Sequence, residues 1–341
     1  MKNIFDYTFE ELESLLIENN FKKYNTTQII DWIYKKKVYD FNNMSNLSKD
    51  LISFLKDNFN IVLLELISKE TGNDTNKYLF KLNDGSMIES VLMKHDYGNS
   101  ICISSQVGCN MGCAFCESGR LKRVRNLDTS EMVLQILTVE NIESIRIDSV
   151  VIMGIGEPFD NYDNLVKFIN IVIDNKMIGI GQRKVTISTC GVVPKILEFA
   201  KLDNQVNLAI SLHAPNDLLR SELMPINKVY KIRDIISAVD EYIKLTNRRV
   251  TIEYIMIKDV NDSEECALEL SKLLGGKLVY INLIPYNITN NSMYNRSEDF
   301  KIKKFYDILK KSRIEVTIRR EMGSGVSAAC GQLRAKNNEV K

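Results

Sequence analysis

Residues 101–116 read Ile101-Cys102-Ile103-Ser104-Ser105-Gln106-Val107-Gly108-Cys109-Asn110-Met111-Gly112-Cys113-Ala114-Phe115-Cys116, a short apolar run followed by a loop with three cysteines. The run predicts a strand over 101–105. Similar β-branched runs recur at 148–153, 184–188, 206–212, 250–257, 278–284 and 314–319. Helical periodicity occupies the intervals, near 129–142, 161–175, 192–201, 231–246, 263–274 and 298–312. This alternation predicts repeated βα units and an α/β fold with a parallel sheet.

Before residue 100 the pattern differs. Thr8 with Glu11 three residues on predicts a capping box opening a first helix, and helical runs follow at 26–38 and 48–58. Residues 77–93 alternate about Asn83-Asp84-Gly85, a hairpin signal. The expected organisation is a helical domain over 1–75, a β-hairpin connector over 76–98, the βα units over 99–322 and a C-terminal loop and tail over 323–341.

Composition sets the outer bounds. Of 341 residues, 45% are hydrophobic and 26% charged, the values of an ordinary folded chain. Met1-Lys2-Asn3-Ile4-Phe5-Asp6-Tyr7 offers no apolar signal core, and no apolar run reaches the roughly 18 residues a membrane span needs. The expected location is the cytoplasm, with no membrane partner. A net charge of +1 excludes nucleic-acid binding by bulk charge and leaves only local patches. Residues 301–341 carry eleven Lys/Arg against four Asp/Glu, although charge alone reads there as a solvated helix face and a tail. Seven cysteines in a cytosolic chain point to ligands or reactive thiols rather than a disulfide scaffold.

In α/β sheets and βα barrels the chemistry sits in loops at the carboxyl ends of the strands. Those loops hold the unusual residues here: the cysteine cluster, Met153-Gly154-Ile155-Gly156-Glu157-Pro158, Ser188-Thr189-Cys190-Gly191, Ser211-Leu212-His213, Pro285-Tyr286-Asn287 and Ala328-Ala329-Cys330-Gly331-Gln332. All are expected on one rim. Three thiolates spaced as Cys109, Cys113 and Cys116 can hold an iron–sulfur cubane and leave one iron open, whereas structural zinc normally takes four protein ligands. A zinc site completed by Cys190 or Cys266 is the other reading of the same residues.

The spacing is the signature of the radical S-adenosylmethionine superfamily, and the likeness is narrower still. Cys102-Ile-Ser-Ser-Gln-Val-Gly-Cys109, Gly156-Glu-Pro-Phe-Asp-Asn161, Ile210-Ser-Leu-His-Ala-Pro-Asn-Asp217, Asn282-Leu-Ile-Pro285 and Ala328-Ala-Cys-Gly-Gln-Leu333 resemble the RlmN and Cfr family of RNA adenine methyltransferases. Pro158, Ala214-Pro215 and Pro285 resemble the RlmN branch, which methylates C2 of an adenosine in 23S rRNA and, in some members, of tRNA.

The resemblance implies a partial (β/α)6, TIM-like radical S-adenosylmethionine barrel with a small helical N-terminal domain that clamps RNA and a short β-hairpin. It implies a 4Fe-4S cluster on Cys109, Cys113 and Cys116, and two molecules of S-adenosylmethionine per turnover. The first methylates Cys330. A 5′-deoxyadenosyl radical from the second removes hydrogen from that methyl group, and the methylene radical adds to the base. Cys102 then releases the protein–RNA adduct by forming a disulfide with Cys330, and Glu89 accepts a proton. Gly156 and Glu157 bind the cofactor's amino group, and Ser188, Ser211, Leu212, His213 and Asn287 make further cofactor contacts. A flavodoxin- or ferredoxin-type electron donor and a monomeric state are also implied.

Without the resemblance these residues read more plainly. Cys330 is a small buried hydrophobe, Glu89 alternates out of a strand toward solvent, the Gly154–Glu157 segment is a turn, and His213 is a satisfied core histidine. Cys190 and Cys266 read as structural. Two departures from the family pattern are present: Gly323-Ser324-Gly325-Val326-Ser327 replaces an acidic stretch before Cys330, and Glu117-Ser118-Gly119-Arg120-Leu121-Lys122-Arg123 follows Cys116. Alternatives are a Cfr-like C8 methyltransferase conferring antibiotic resistance on the ribosome, a paralogue with another RNA target, and a non-catalytic Fe-S RNA-binding protein.

Overall fold

Thr8 starts the first helix as its spacing predicts. Its hydroxyl accepts the Glu11 N–H at 3.2 Å, and the Glu11 carboxylate accepts the Thr8 N–H at 2.9 Å. The computed structural model describes residues 1–120, 122–287 and 293–319. Strand β1 (Lys2–Asn3) precedes helices α1 (Phe9–Glu18), α2 (Lys23–Ile30) and α3 (Lys49–Asn58), and β2 (Phe59–Asn60) returns to pair in parallel with β1. Leu12, Leu16, Ile29, Ile30, Leu51 and Leu55 of these helices join the main hydrophobic core.

The hairpin is built on Asn83-Asp84-Gly85, with Gly85 at φ +82° in the left-handed region. It joins β4 (Thr75–Lys81) to β5 (Met87–His95), and an outer strand β3 (Glu65–Thr71) flanks β4. The sequence pattern gave no sign of β3. Its residues Glu65-Leu66-Ile67-Ser68-Lys69-Glu70-Thr71 are mostly exposed, and the charges of Glu65, Lys69 and Glu70 befit an edge strand that must resist pairing with another chain.

β6 (Gly98–Cys102) pairs antiparallel with β5 and parallel with β9, so the hairpin strands and the βα strands form one sheet. Between them come the short pair β7 (Gln106–Val107) and β8 (Arg125–Asn126), which flank a single helical turn α4 (Glu117–Arg120). The βα series then runs α5 (Thr129–Glu143), β9 (Ser149–Ile152), α6 (Tyr162–Ile173), β10 (Val185–Thr189), α7 (Val193–Phe199) and β11 (Asn207–Ser211). It continues through α8 (Asp217–Leu223), α9 (Ile232–Thr246), β12 (Val250–Met256), α10 (Glu264–Leu274), β13 (Val279–Pro285), α11 (Asp299–Lys311) and β14 (Glu315–Ile318).

The ten-stranded sheet has the order β14-β13-β12-β11-β10-β9-β6-β5-β4-β3, parallel from β14 to β6 and open among the described residues. Strands buried on both faces read as continuous apolar runs, which is why the parallel strands were legible from composition. No described helix is long and apolar enough to cross a membrane.

Candidate active site

The loops after β6, β9, β10 and β11 meet at the carboxyl rim, and glycine lets two of them touch. Gly154 N–H donates to the Ile103 carbonyl at 3.0 Å, and Ser105 and Gln106 N–H groups donate to Ile155. A Cβ on Gly154 would lie 2.6 Å from that Ile103 oxygen. At Gly156 the backbone has φ +115°, and a Cβ would lie 2.6 Å from Gln106 Cβ. Gln106 adds a side-chain tie, its Oε1 accepting the Glu157 N–H at 2.9 Å.

Glu157 is buried, and burial holds its carboxyl above the usual range. Its two oxygens accept the N–H groups of Phe159 at 3.0 Å and Cys190 at 2.7 Å, so it spans the loops after β9 and β10. Ser188 and Ser211 stand side by side on β10 and β11 with their hydroxyls 3.3 Å apart. Leu212 is fully buried and donates its N–H to Glu253. His213 has φ +59° and is buried. Its Nδ1 accepts the Ile255 N–H at 3.1 Å, and burial, with the Arg220 charge, pulls its pKa down to about 3, so the ring is neutral. Asn287 is exposed beyond the end of β13.

The cysteine loop is pinned on two sides. Ala114 N–H donates to Leu223 of α8 at 2.9 Å, and the Phe115 ring meets His213 edge-on at 4.9 Å. Burial pushes the Cys109 thiol up to about 12 and raises Cys113 further, with Cys116 adding to both. Metal uptake there must release protons. No three His, Cys, Asp or Glu side chains among the described residues converge as a single metal ion would need. A cubane asks for something else, because each thiolate binds its own iron. The donor set fits that group, and just past Cys116 the buried Glu117 Oε1 and Ser118 Oγ lack hydrogen-bond partners among the described residues. No disulfide joins two described cysteines. Cys330 lies outside the described residues.

Glu89 corrects the reading by alternation. It is 2% exposed rather than solvent-facing, because β4 and β5 continue the main sheet and are covered on both faces. Its carboxylate pairs with Lys77 of β4 at 3.0 Å. Ser104 donates to the Glu89 carbonyl at 2.7 Å and accepts the Ile155 N–H, linking β5 to the loop after β9. Cys102 pairs in register with Val91, two residues from Glu89, so the two side chains share a face of the sheet. Sequence reasoning missed Lys77 and also Arg220, which is 0% exposed in α8; each reads in sequence as an ordinary surface cation.

This open parallel sheet with a cysteine loop after its first βα strand is the radical S-adenosylmethionine arrangement. Residues 103–270 match the radical SAM superfamily, and residues 2–61 match the ribosomal RNA large subunit methyltransferase N-terminal domain. The crystal structure of a radical SAM methyltransferase from Sphaerobacter thermophilus superposes with a TM-score of 0.92 at 38% identity, covering 97% of this chain and 99% of that one. A probable dual-specificity RNA methyltransferase RlmN of Acholeplasma laidlawii is 52% identical over 98% of this chain and 99% of its own length. The corresponding Spiroplasma citri protein is 52% identical over 100% of this chain and 99% of its own.

The chain belongs to the RlmN family of radical S-adenosylmethionine RNA methyltransferases. Membership implies a 4Fe-4S cluster and S-adenosylmethionine as its cofactors.

Proposed function

We propose that this chain methylates C2 of an adenosine in 23S rRNA, and of tRNA, with Cys330 carrying the methyl group between cofactor and base. Cys109, Cys113 and Cys116 would hold the cluster. The observation that carries the reading is the convergence of the cysteine loop, the Gly154–Glu157 loop and the Glu89–Cys102 face at one rim. When bound, the cluster and S-adenosylmethionine supply the radical that a ring carbon without a nucleophilic lone pair requires.

The chain's own residues do the rest. Gly156 keeps the loop after β9 against Gln106, and Glu157, which fixes that loop at Cys190, would hold the cofactor's amino group. Ser188, Ser211, Leu212, neutral His213 and Asn287 line the remainder of the cofactor site. Glu89 would receive the C2 proton with Lys77 holding its carboxylate in place. Cys102 would free the product by forming an S–S bond with Cys330 as the Cys330 S–CH2 bond breaks, its electron pair and the thiol proton going to the methylene carbon to complete the methyl group.

The helical region 1–75 serves as the RNA clamp. Three of its lysines are already engaged, Lys23 with Glu13, Lys36 with Asp31 and Lys37 with Glu140. Arg120, Lys122 and Arg123, exposed just after the third cysteine, add further phosphate contacts, Arg123 by exchanging its ion pair with Asp160 for one with RNA. Adenosine in folded RNA reaches such a rim only from a loop or after extrusion, at a cost of a few kcal/mol.

Peptide mass spectrometry of the protein purified from growing cells tests the methyl-carrier role. A fraction of Cys330 should bear one added methyl group, and Cys109→Ala should abolish it. An unmodified Cys330 in the active protein would contradict the reading.

A further inference from the structure

Arg220 is the largest fully buried side chain described. Among the described residues its guanidinium makes five hydrogen bonds, all to neutral oxygens: Leu212 carbonyl at 3.2 Å, Ser211 carbonyl at 3.3 Å, Cys190 carbonyl at 2.6 Å, Tyr230 carbonyl at 3.4 Å and Asn227 Oδ1 at 3.1 Å. The nearby Asp217 carboxylate is turned to the Asn227 amide and the Ile232 N–H instead. A buried cation held only by carbonyls is costly unless an anion lies near it.

Three of those carbonyls belong to the ends of β10 and β11 or the residues just beyond, at the rim where ligands bind in such sheets. The same helix, one turn on, takes the Ala114 N–H on the Leu223 carbonyl and so supports the cysteine loop. Arg220 thus sits between the two halves of the cofactor site. Three thiolates on a 4Fe-4S core leave a net negative charge, which would complement the guanidinium from the side opposite its own helix, where Asp217 is the described carboxylate acting on it.

We propose that Arg220 is a positioning residue of the cofactor site: it fixes the loops after β10 and β11 through their carbonyls, and its charge raises the reduction potential of the cluster held by Cys109, Cys113 and Cys116. The inference rests on the family's cofactor pair. A nearby cation favours the more negative, reduced cluster, so its removal makes reduction harder. Lysine keeps the charge but cannot reach the separate carbonyls with one ammonium.

The test uses anaerobically reconstituted full-length protein, with the midpoint potential read by EPR-monitored redox titration, S-adenosylmethionine affinity by equilibrium dialysis, and thermal unfolding alongside. Arg220→Lys should keep the potential and weaken S-adenosylmethionine binding about tenfold, in the range seen when groups supporting a metal site are replaced. Arg220→Gln should weaken binding similarly and also lower the potential. Cluster-loaded variants that match the unaltered protein in both affinity and potential would overturn the role of Arg220. If Arg220→Gln does not fold, unchanged affinity in Arg220→Lys alone overturns it. Failure of the unaltered protein to take up cluster or S-adenosylmethionine would instead overturn the cofactor reading on which this rests.

Discussion

Lys77 Nζ lies 3.0 Å from a Glu89 carboxylate oxygen, with the two side chains only 2% and 1% exposed. The pair is diagonal across β4 and β5, since Lys77 sits opposite Val91 and Leu79 opposite Glu89. Two opposite charges in so dry a place stabilise mainly by each excusing the other's burial.

Removing Lys77 leaves the Glu89 carboxylate buried without this ion pair. Lys77→Met should destabilise the fold by about 3–5 kcal/mol, measured as the shift in urea unfolding. Adding Glu89→Leu should recover a large part of that loss while abolishing methyl transfer to RNA. A Lys77→Met protein as stable as its parent would show that the pair contributes little.

Gly156 gives a second prediction. Its φ of +115° and the 2.6 Å approach to Gln106 Cβ leave no room for a methyl group. Gly156→Ala should cost about 2 kcal/mol or more through strain and overlap, and cofactor binding should fail before the fold does. Gly85→Ala, where nothing lies within 4 Å, should cost only the backbone strain.

His213 predicts a pH dependence whose sign follows from its depressed pKa. The unfolded imidazole takes a proton near the ordinary histidine value of 6.5, while the folded one resists until about 3. Its contribution is complete above the unfolded pKa and is lost as pH falls from there toward the folded pKa. Below about pH 6 the stability of the parent relative to His213→Asn should fall by roughly 1.4 kcal/mol per pH unit. Equal pH profiles for the two proteins, measured from pH 8 to 5.5, would contradict a buried neutral ring.

The cysteines separate by role. Cys109→Ala, Cys113→Ala and Cys116→Ala should each lose iron on reconstitution, read by iron analysis and the absorption of the cluster. Cys190→Ala should keep its iron and lose about 1 kcal/mol of stability, because the thiol's hydrogen bond to Glu157 goes while the backbone N–H held by Glu157 and the carbonyl held by Arg220 stay.

The inner parallel strands were readable because they are apolar, β-branched runs covered on both faces, and their helices by a 3.6-residue apolar period, with polar loops between. Thr8 with Glu11 marked a helix start by local chemistry that tertiary structure does not override. The cysteine loop was readable because three thiols at that spacing have few other uses. β3 was not, since an edge strand with charged, exposed residues looks like a linker. Glu89 and Lys77 were misread for one reason: strand alternation assigns polar residues to solvent, and only the assembled sheet shows that both faces are covered. Arg220 carried no signal, because an arginine in a short helix is ordinarily exposed.

Nucleoside analysis of the RNA product tests the central claim most directly. The protein is reconstituted anaerobically with iron and sulfide, then incubated with S-adenosylmethionine, a reductant and transcribed 23S rRNA and tRNA fragments before digestion and mass spectrometry. The account predicts 2-methyladenosine, absent with Cys330→Ala. Formation of 8-methyladenosine, or of deoxyadenosine with no methylated RNA, would contradict it.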